Sequence, residues 1–159
     1  MIFDANLMFD MTYTAAAGMG GVAVFTSNSS QVSTNVIDQL YQRDLGQAKS
    51  GVGPVEIFVV VTTAFAGGTS LNIQLQGSTD NVTYTVYAES GAIPTASLVV
   101  GANLFNVQIP GVQPETGPAP RYYRLNYVCV GVMTAGSVIS GLGATDDNRY
   151  YKPGIVVSN

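Results

Sequence analysis

Two stretches of this chain are apolar at every second residue, and that period decides most of what the chain can fold into. Leu71, Ile73 and Leu75 alternate with Asn72, Gln74 and Gln76, while Tyr123, Leu125, Tyr127 and Cys129 alternate with Tyr122, Arg124, Asn126 and Val128. Successive side chains of a strand point to opposite faces, so each stretch predicts a strand with one dry and one wet face. The polar turn Gly77–Asn81 joins the first stretch to Val82–Ala88, where Val82, Tyr84, Val86 and Ala88 alternate with Thr83, Thr85 and Tyr87. Two alternating runs around such a turn predict a β-hairpin.

Further strands are predicted over Val55–Thr63, closed by Ala66-Gly67-Gly68, and over Leu104–Ile109, closed by Pro110-Gly111. Arg121–Val130 and Ser137–Thr145 complete the set, with Gly141 and Gly143 marking a bulge or a close backbone approach. Pro110–Pro120 holds four prolines and two glycines and reads as a loop. Earlier in the chain, Val22–Thr26 and Val32–Ile37 fit strands. Asn35 to Asp38 also fits a helix start with Asn35 as N-cap and Gly46 as the stop; strand followed by turn is the preferred reading. No long segment of helical period competes. The expectation is an all-β protein, an antiparallel β-sandwich of jelly-roll-like form with eight or nine short strands and extended N- and C-terminal arms. It is one domain in three parts: residues 1–50 as N-terminal arm and first strands, 51–145 as the body, 146–159 as C-terminal arm.

The residues available for chemistry are few. The chain has no histidine, one cysteine, six basic and ten acidic residues among 159. Without histidine, Ser/His/Asp and Cys/His catalysis and histidine-based metal sites are not available. Cys129 lies in the apolar run Tyr127–Val132 and is expected to be a buried small side chain. Asp146-Asp147-Asn148 lacks the spacing of a calcium loop. Gly18-Met19-Gly20-Gly21 has no Lys-Ser/Thr after it and is not a phosphate loop. Asn28-Ser29-Ser30 and Asn81-Val82-Thr83 match the N-glycosylation pattern, but Met1-Ile2-Phe3-Asp4 has an acid where a secretion signal would be basic. Glu56 and Glu89 are the only acids with a remote claim to glycosidase work. The expectation is therefore a non-enzyme without cofactor or metal.

Charge argues about partners. Between Gly51 and Thr145 stand only Glu56, Asp80, Glu89, Glu115, Arg121 and Arg124. A surface so poor in charge is either amide- and hydroxyl-rich or covered by another protein. The net charge of -4, with no stripe of lysine and arginine, argues against nucleic acid. No apolar run is long enough to span a membrane. The two ends are more apolar than disordered tails usually are. They supply the expected contact residues: Ile2, Phe3, Leu7 and Phe9 at the N-terminal end, and Arg149, Tyr150, Tyr151, Lys152 and Ile155 at the other. Tyr122, between Arg121 and Arg124, is the expected contact on the body.

Several segments, in order, resemble one family. Ser33-Thr34-Asn35-Val36-Ile37-Asp38, Arg43-Asp44-Leu45-Gly46 and Phe58 to Phe65 are similar to segments of the capsid cement (decoration) proteins of short-tailed bacteriophages. So are Ala92-Ile93-Pro94, Arg121 to Tyr127, Met133-Thr134-Ala135-Gly136 and Arg149 to Gly154. The resemblance runs from about Met1 to Gly154; Gly18–Ser30 is longer than the family pattern. It implies a jelly-roll-like sandwich with no catalysis and no active-site residues to carry over. It further implies a homodimer or homotrimer made in the host cytoplasm, sitting on the outer capsid surface and bridging neighbouring major capsid subunits. The alternative from another class is a carbohydrate-binding sandwich on the virion surface, with Tyr122, Arg121 and Arg124 as its site.

Overall fold

The structure is a computed structural model, and it describes residues 5–16, 18–23, 30–42, 55–109 and 118–143. These residues form two packed antiparallel sheets and one small hairpin, with no α-helix among them. The strands are β1 (Met8–Asp10), β2 (Thr12–Thr14), β3 (Gly18–Gly20), β4 (Val22–Ala23), β5 (Gln31–Val32), β6 (Ile37–Asp38) and β7 (Glu56–Gly67). They continue with β8 (Ser70–Ser78), β9 (Thr85–Glu89), β10 (Ile93–Pro94), β11 (Asn103–Gln108), β12 (Tyr122–Val130) and β13 (Met133–Gly143).

In the first sheet β11, β7 and β13 lie side by side, and β1 and β4 share the far edge of β13. In the second, β8 and β12 are central; β9 and β10 share one edge, β5 and β6 the other. Taking each divided edge as one strand gives two four-stranded sheets in which the last strands lie between the first ones and the middle ones. That nested order arises when a long antiparallel ribbon is rolled into two layers. β2 and β3 pair with each other as a separate hairpin.

The alternating stretches place the core where the sequence expects it. Leu71, Ile73 and Leu75 of β8 and Tyr123, Leu125, Tyr127 and Cys129 of β12 are buried. They face Ile57, Val59, Val61 and Phe65 of β7, Val138 and Leu142 of β13, and Phe105 and Ile109 of the β11 region. Burial of this many Val, Leu, Ile and aromatic side chains, about 1.5–3 kcal/mol each, is what offsets the chain's conformational entropy. The tight β12–β13 turn depends on Gly131: its φ is +84°, and a Cβ there would lie 2.9 Å from the Cα of Gly68.

The structure corrects several expectations in detail. β7 and β13 are longer than expected, running to Gly67 and starting at Met133. The hairpin Leu71–Ala88 exists, but its second strand begins only at Thr85, and a bulge lies opposite Leu75/Gln76. The bulge shifts the phase, so Tyr87 packs against the core while Val86 is exposed. Val32–Ile37 is two short strands, β5 and β6, both paired to β12, with no helix at Asn35. Within 1–50, β1 and β4 edge the first sheet and β5 and β6 the second. Val24–Thr26, Gly46, Pro110–Gly117 and 144–159 lie outside the described residues.

Candidate functional site

Two features stand out above the ordinary packing: a buried carboxylate that ties the two sheets together, and a surface at one end of the second sheet. The buried group is Asp10, which is 1% exposed. Strict alternation after Phe9 would turn it outward. Instead Met8 pairs with Gly141 and Asp10 with Ser140, so β1 carries an extra residue. This bulge lets both Phe9 and Asp10 enter the sandwich. Gly141 makes room on the opposite face, since a Cβ there would lie 2.6 Å from Met8 Sδ and 2.9 Å from the Leu7 carbonyl oxygen.

A buried carboxylate is tolerable only when its oxygens are occupied by donors. Asp10 Oδ2 accepts from Tyr127 Oη (2.6 Å) and Ser140 Oγ (3.0 Å). Its Oδ1 accepts from the Thr34 N–H (2.8 Å) and Thr34 Oγ1 (2.9 Å). Burial, with Asp10 beside it, holds the Tyr127 phenol well above its ordinary pKa. The neighbours of Thr34 complete the link. Ser33 exchanges bonds with Leu125 of β12, by its N–H (2.8 Å) and by its Oγ (3.1 Å), while the Asn35 N–H donates to the Phe9 carbonyl (2.9 Å). Ser33-Thr34-Asn35 thus staples β1 of one sheet to β12 of the other. An open cleft of about 340 Å³ beside it is lined by Asn6, Met8, Thr34, Asn35, Val36 and Ile37.

The surface feature rests on one row of the second sheet. Asp38 of β6, Tyr122 of β12 and Ser78 of β8 lie opposite one another in register. Strand spacing of about 4.8 Å puts Asp38 and Ser78 about 10 Å apart, with Tyr122 between them. A turn leaves the row on each side. On the β6 side the Leu40 N–H donates to Asp38 Oδ1 (2.8 Å), and Leu40 adopts φ +65°. Asp38 also takes Arg121 through two bonds, Nε to Oδ1 at 2.7 Å and Nη2 to Oδ2 at 2.8 Å. The Arg121 bond, then the Leu40 N–H, hold the Asp38 carboxyl below its ordinary pKa. On the β8 side Asp80 Oδ1 accepts from the N–H groups of Thr83 (2.8 Å) and Val82 (2.9 Å) and from Ser78 Oγ (2.8 Å), which lower its pKa in that order.

These local bonds fix two turns that present apolar side chains to solvent. Leu40 is 66% exposed, Tyr41 69% and Val82 81%. Between them the Arg121 guanidinium lies 4.8 Å over the Tyr122 ring, and that of Arg124 lies 3.6 Å over the Tyr84 ring. Tyr84 is held in turn by its hydroxyl on Asn81 Oδ1. The wet face continues as a ladder of amides: Arg124 Nε to Gln76 Oε1 (2.8 Å), Asn126 Nδ2 to Gln74 Oε1 (2.9 Å) and Asn72 Nδ2 to Glu89 Oε2 (3.1 Å).

The sequence-expected contact residues are divided by this arrangement. Tyr122 lies at the centre of the surface, with Arg121 and Arg124 around it. Leu7 is 40% exposed at the other edge of the molecule's first sheet, next to β1. Phe9 is a correction: pairing of β1 with β13 places it in the core, fully buried, where it offers no side chain to a partner. Ile2, Phe3, Arg149, Tyr150, Tyr151, Lys152 and Ile155 lie outside the described residues, as does Asp146-Asp147-Asn148. Glu56 and Glu89 do not form a pair: Glu56 begins β7 in the first sheet, while Glu89 bonds Asn72 on the second. Sequence reading missed Leu40, Tyr41, Val82 and Tyr84. The Leu40-Tyr41 pair, directly after Asp38-Gln39 at the end of the predicted strand, was the available signal; Tyr84 was hidden by its apparent place on a dry strand face.

Comparison with known proteins gives one family. The family described as Bbp16, which is phage-related, matches residues 21–142, more than three-quarters of the chain. The match takes in β4 to β12 and most of β13, and with them both turns of the surface. No curated protein matches the chain. The chain belongs to the Bbp16 family.

Proposed function

We propose that this Bbp16-family chain is a structural virion protein that decorates the outer surface of a phage capsid. In this reading it works as a homodimer or homotrimer, binds the major capsid protein across neighbouring subunits and stabilises the expanded shell. It catalyses no reaction, uses no cofactor, and engages neither nucleic acid nor membrane.

The observation that carries the reading is the surface around Tyr122. Protein interfaces are enriched in tyrosine and arginine at their energetic centres and depleted of lysine and acids. Here Tyr41, Tyr122, Tyr84, Arg121 and Arg124 stand together with exposed Leu40 and Val82. The turns that carry them are already fixed by Asp38 and Asp80, so little conformational freedom is lost on binding. The phage-related family supplies the setting, and the nested strand order supports the jelly-roll-like part of the reading. The carbohydrate alternative is weaker, because one face of the Tyr122 ring and one of the Tyr84 ring are covered by guanidinium groups rather than open to a sugar.

A protein that binds only the expanded shell stabilises it by mass action. At a free concentration a hundred times Kd, each site adds about 2.7 kcal/mol. Several chains per oligomer and many oligomers per shell multiply the effect. The test is co-sedimentation of the purified protein with expanded, undecorated shells and with compact procapsids. Saturable binding to the expanded shell alone is expected. Absence of binding to either shell refutes the reading. A chain lacking Arg149–Asn159 tests whether that segment straps the capsid: its occupancy is expected to fall while the sandwich stays folded.

A further inference from the structure

Arg121 and Arg124 sit three residues apart on one strand, yet the fold treats them differently. Arg121 is neutralised within the chain by both oxygens of Asp38. Arg124 has no acidic partner among the described residues. Its Nε is engaged by the neutral Gln76 and its plane rests on Tyr84; its two Nη groups make no hydrogen bond among the described residues. A half-buried guanidinium held on two sides by neutral groups has lost part of its hydration without gaining a counter-charge from the described residues. Its open end is a planar fork of N–H donors with the geometry of a carboxylate.

We infer that Arg124 is the receptor for a carboxylate, and that the carboxylate is an Asp or Glu side chain of the capsid subunit on which this surface docks. The inference rests on the decoration reading for the identity of the partner. Its chemistry is argued from the surface itself. A nucleic-acid phosphate would require several unneutralised cations in a row, and in a chain of net charge -4 the described residues of this surface offer one. A neutral sugar would require an open aromatic face, and Tyr84 has given one face to Arg124. A protein carboxylate needs one oriented fork with apolar side chains around it to exclude water. Tyr122, two residues before Arg124 on β12, shares its face of the strand, and the exposed Val82 lies two residues before the stacked Tyr84.

The arrangement also separates affinity from orientation. Gln76 and Tyr84 fix the guanidinium plane before the partner arrives, so the bond forms in one orientation only. This would set the angle at which the sandwich stands on the shell. A lysine at this position would keep the charge and lose both the stack and the fork.

The experiment is co-sedimentation with expanded shells for the natural protein, Arg124→Gln and Arg124→Lys, over a range of salt. Near-ultraviolet circular dichroism and thermal melting confirm that each variant is folded. Arg124→Gln is expected to weaken shell binding by roughly tenfold or more and to flatten its salt dependence. Arg124→Lys is expected to fall between the two, because its charge remains and its second donor does not. Natural affinity and salt dependence in folded Arg124→Gln would overturn the inference and leave the decoration reading standing. Failure of the natural protein to bind any shell would overturn both. Retention of the natural protein, but not Arg124→Gln, on a uronate-containing polysaccharide without shell binding would overturn the protein partner in favour of a glycan carboxylate.

Discussion

Removing the Asp10 carboxylate tests whether the two sheets are held by a polar staple or by hydrophobic packing alone. In Asp10→Ala, four accepted hydrogen bonds disappear. They do not count equally. Thr34 is exposed, so its two donors turn to water at a cost of about 0.5–1 kcal/mol each. Tyr127 Oη and Ser140 Oγ are buried but only 3.0 Å apart, so they can bond each other and leave one donor unsatisfied. That donor costs about 1–3 kcal/mol. The expected total is about 3 kcal/mol, a large part of the 5–15 kcal/mol that holds an ordinary domain folded. Asp10→Asn keeps the shape and the Oδ1 acceptor for Thr34, and its amide donates to hydroxyls that rotate to accept. It is expected to cost about 1–2 kcal/mol. Urea unfolding gives both values, provided the m-value is unchanged. In thermal melting the Ala variant should fall by about 6–12 °C. Combining Asp10→Asn with Tyr127→Phe should be less destabilising than the sum of the two, because they share one bond. If Asp10→Ala costs less than about 0.5 kcal/mol, or stabilises, then burying the charge outweighs what its donors supply and the staple argument fails.

Gly141→Ala should destabilise by about 1–3 kcal/mol, because the added Cβ meets the Leu7 backbone as well as the yielding Met8 side chain; urea unfolding measures it, and a neutral result would mean that β1 is not held against β13. Cys129 is pushed up to about pKa 12 by burial, so in the folded protein at pH 8 it should resist alkylation by iodoacetamide and react only when urea unfolds the chain; rapid native labelling would refute its placement. Asp38 and Asp80 titrate lower in the folded chain than unfolded, where the ordinary value is 3.8. Their contribution is therefore present above that value and lost as pH falls through the lower folded one. The amide resonances of Leu40, Val82 and Thr83 should hold steady from pH 7 to about 5 and move only below about pH 4; movement near neutrality would show that the turns are not built on these carboxylates.

What the sequence reveals about this fold follows from how local each determinant is. The faces of β8 and β12 were legible because one rule, alternation, acts on neighbours. Gly141 was legible as a close approach because glycine inside an apolar strand needs a reason, although its partner Met8 was not. Phe9 was misread because an apolar residue near the chain end fits a docking arm and an edge strand equally well. Val82 and Tyr84 were misread because the turn runs on to Thr85, and Val86 and Tyr87 because a bulge adds one residue and reverses the facing beyond it, which no residue type announces. Asp10 shows the other limit. Its partners stand 24, 117 and 130 residues away, so nothing near it in sequence explains an acid in an apolar stretch. The surface was half legible. Tyr122 and its arginines were visible as a cluster on one strand. The division of labour between Arg121 and Arg124 depends on Asp38 and Tyr84, which only the sheet register brings to them.

The staple and the surface are parts of one construction. β6 contributes only two residues to its ladder, at Tyr122 and Tyr123. A strand that short is not stable by its own pairing. It is anchored from both sides: Gln39 donates its N–H to the Arg121 carbonyl, and upstream Ser33-Thr34-Asn35 is bonded to β12, Asp10 and β1. Asp38, Leu40 and Tyr41 therefore keep their places beside Tyr122 because the chain four residues earlier is tied to the core. A surface that must be rigid to bind with little entropy loss is thus built on an edge strand, ordinarily the most labile part of a sheet, by fixing that edge through a buried carboxylate on the opposite sheet. Loosening Asp10 should then free the Gln39 amide to exchange before the central ladder of β8 and β12 opens, since the first depends on the staple and the second on the core.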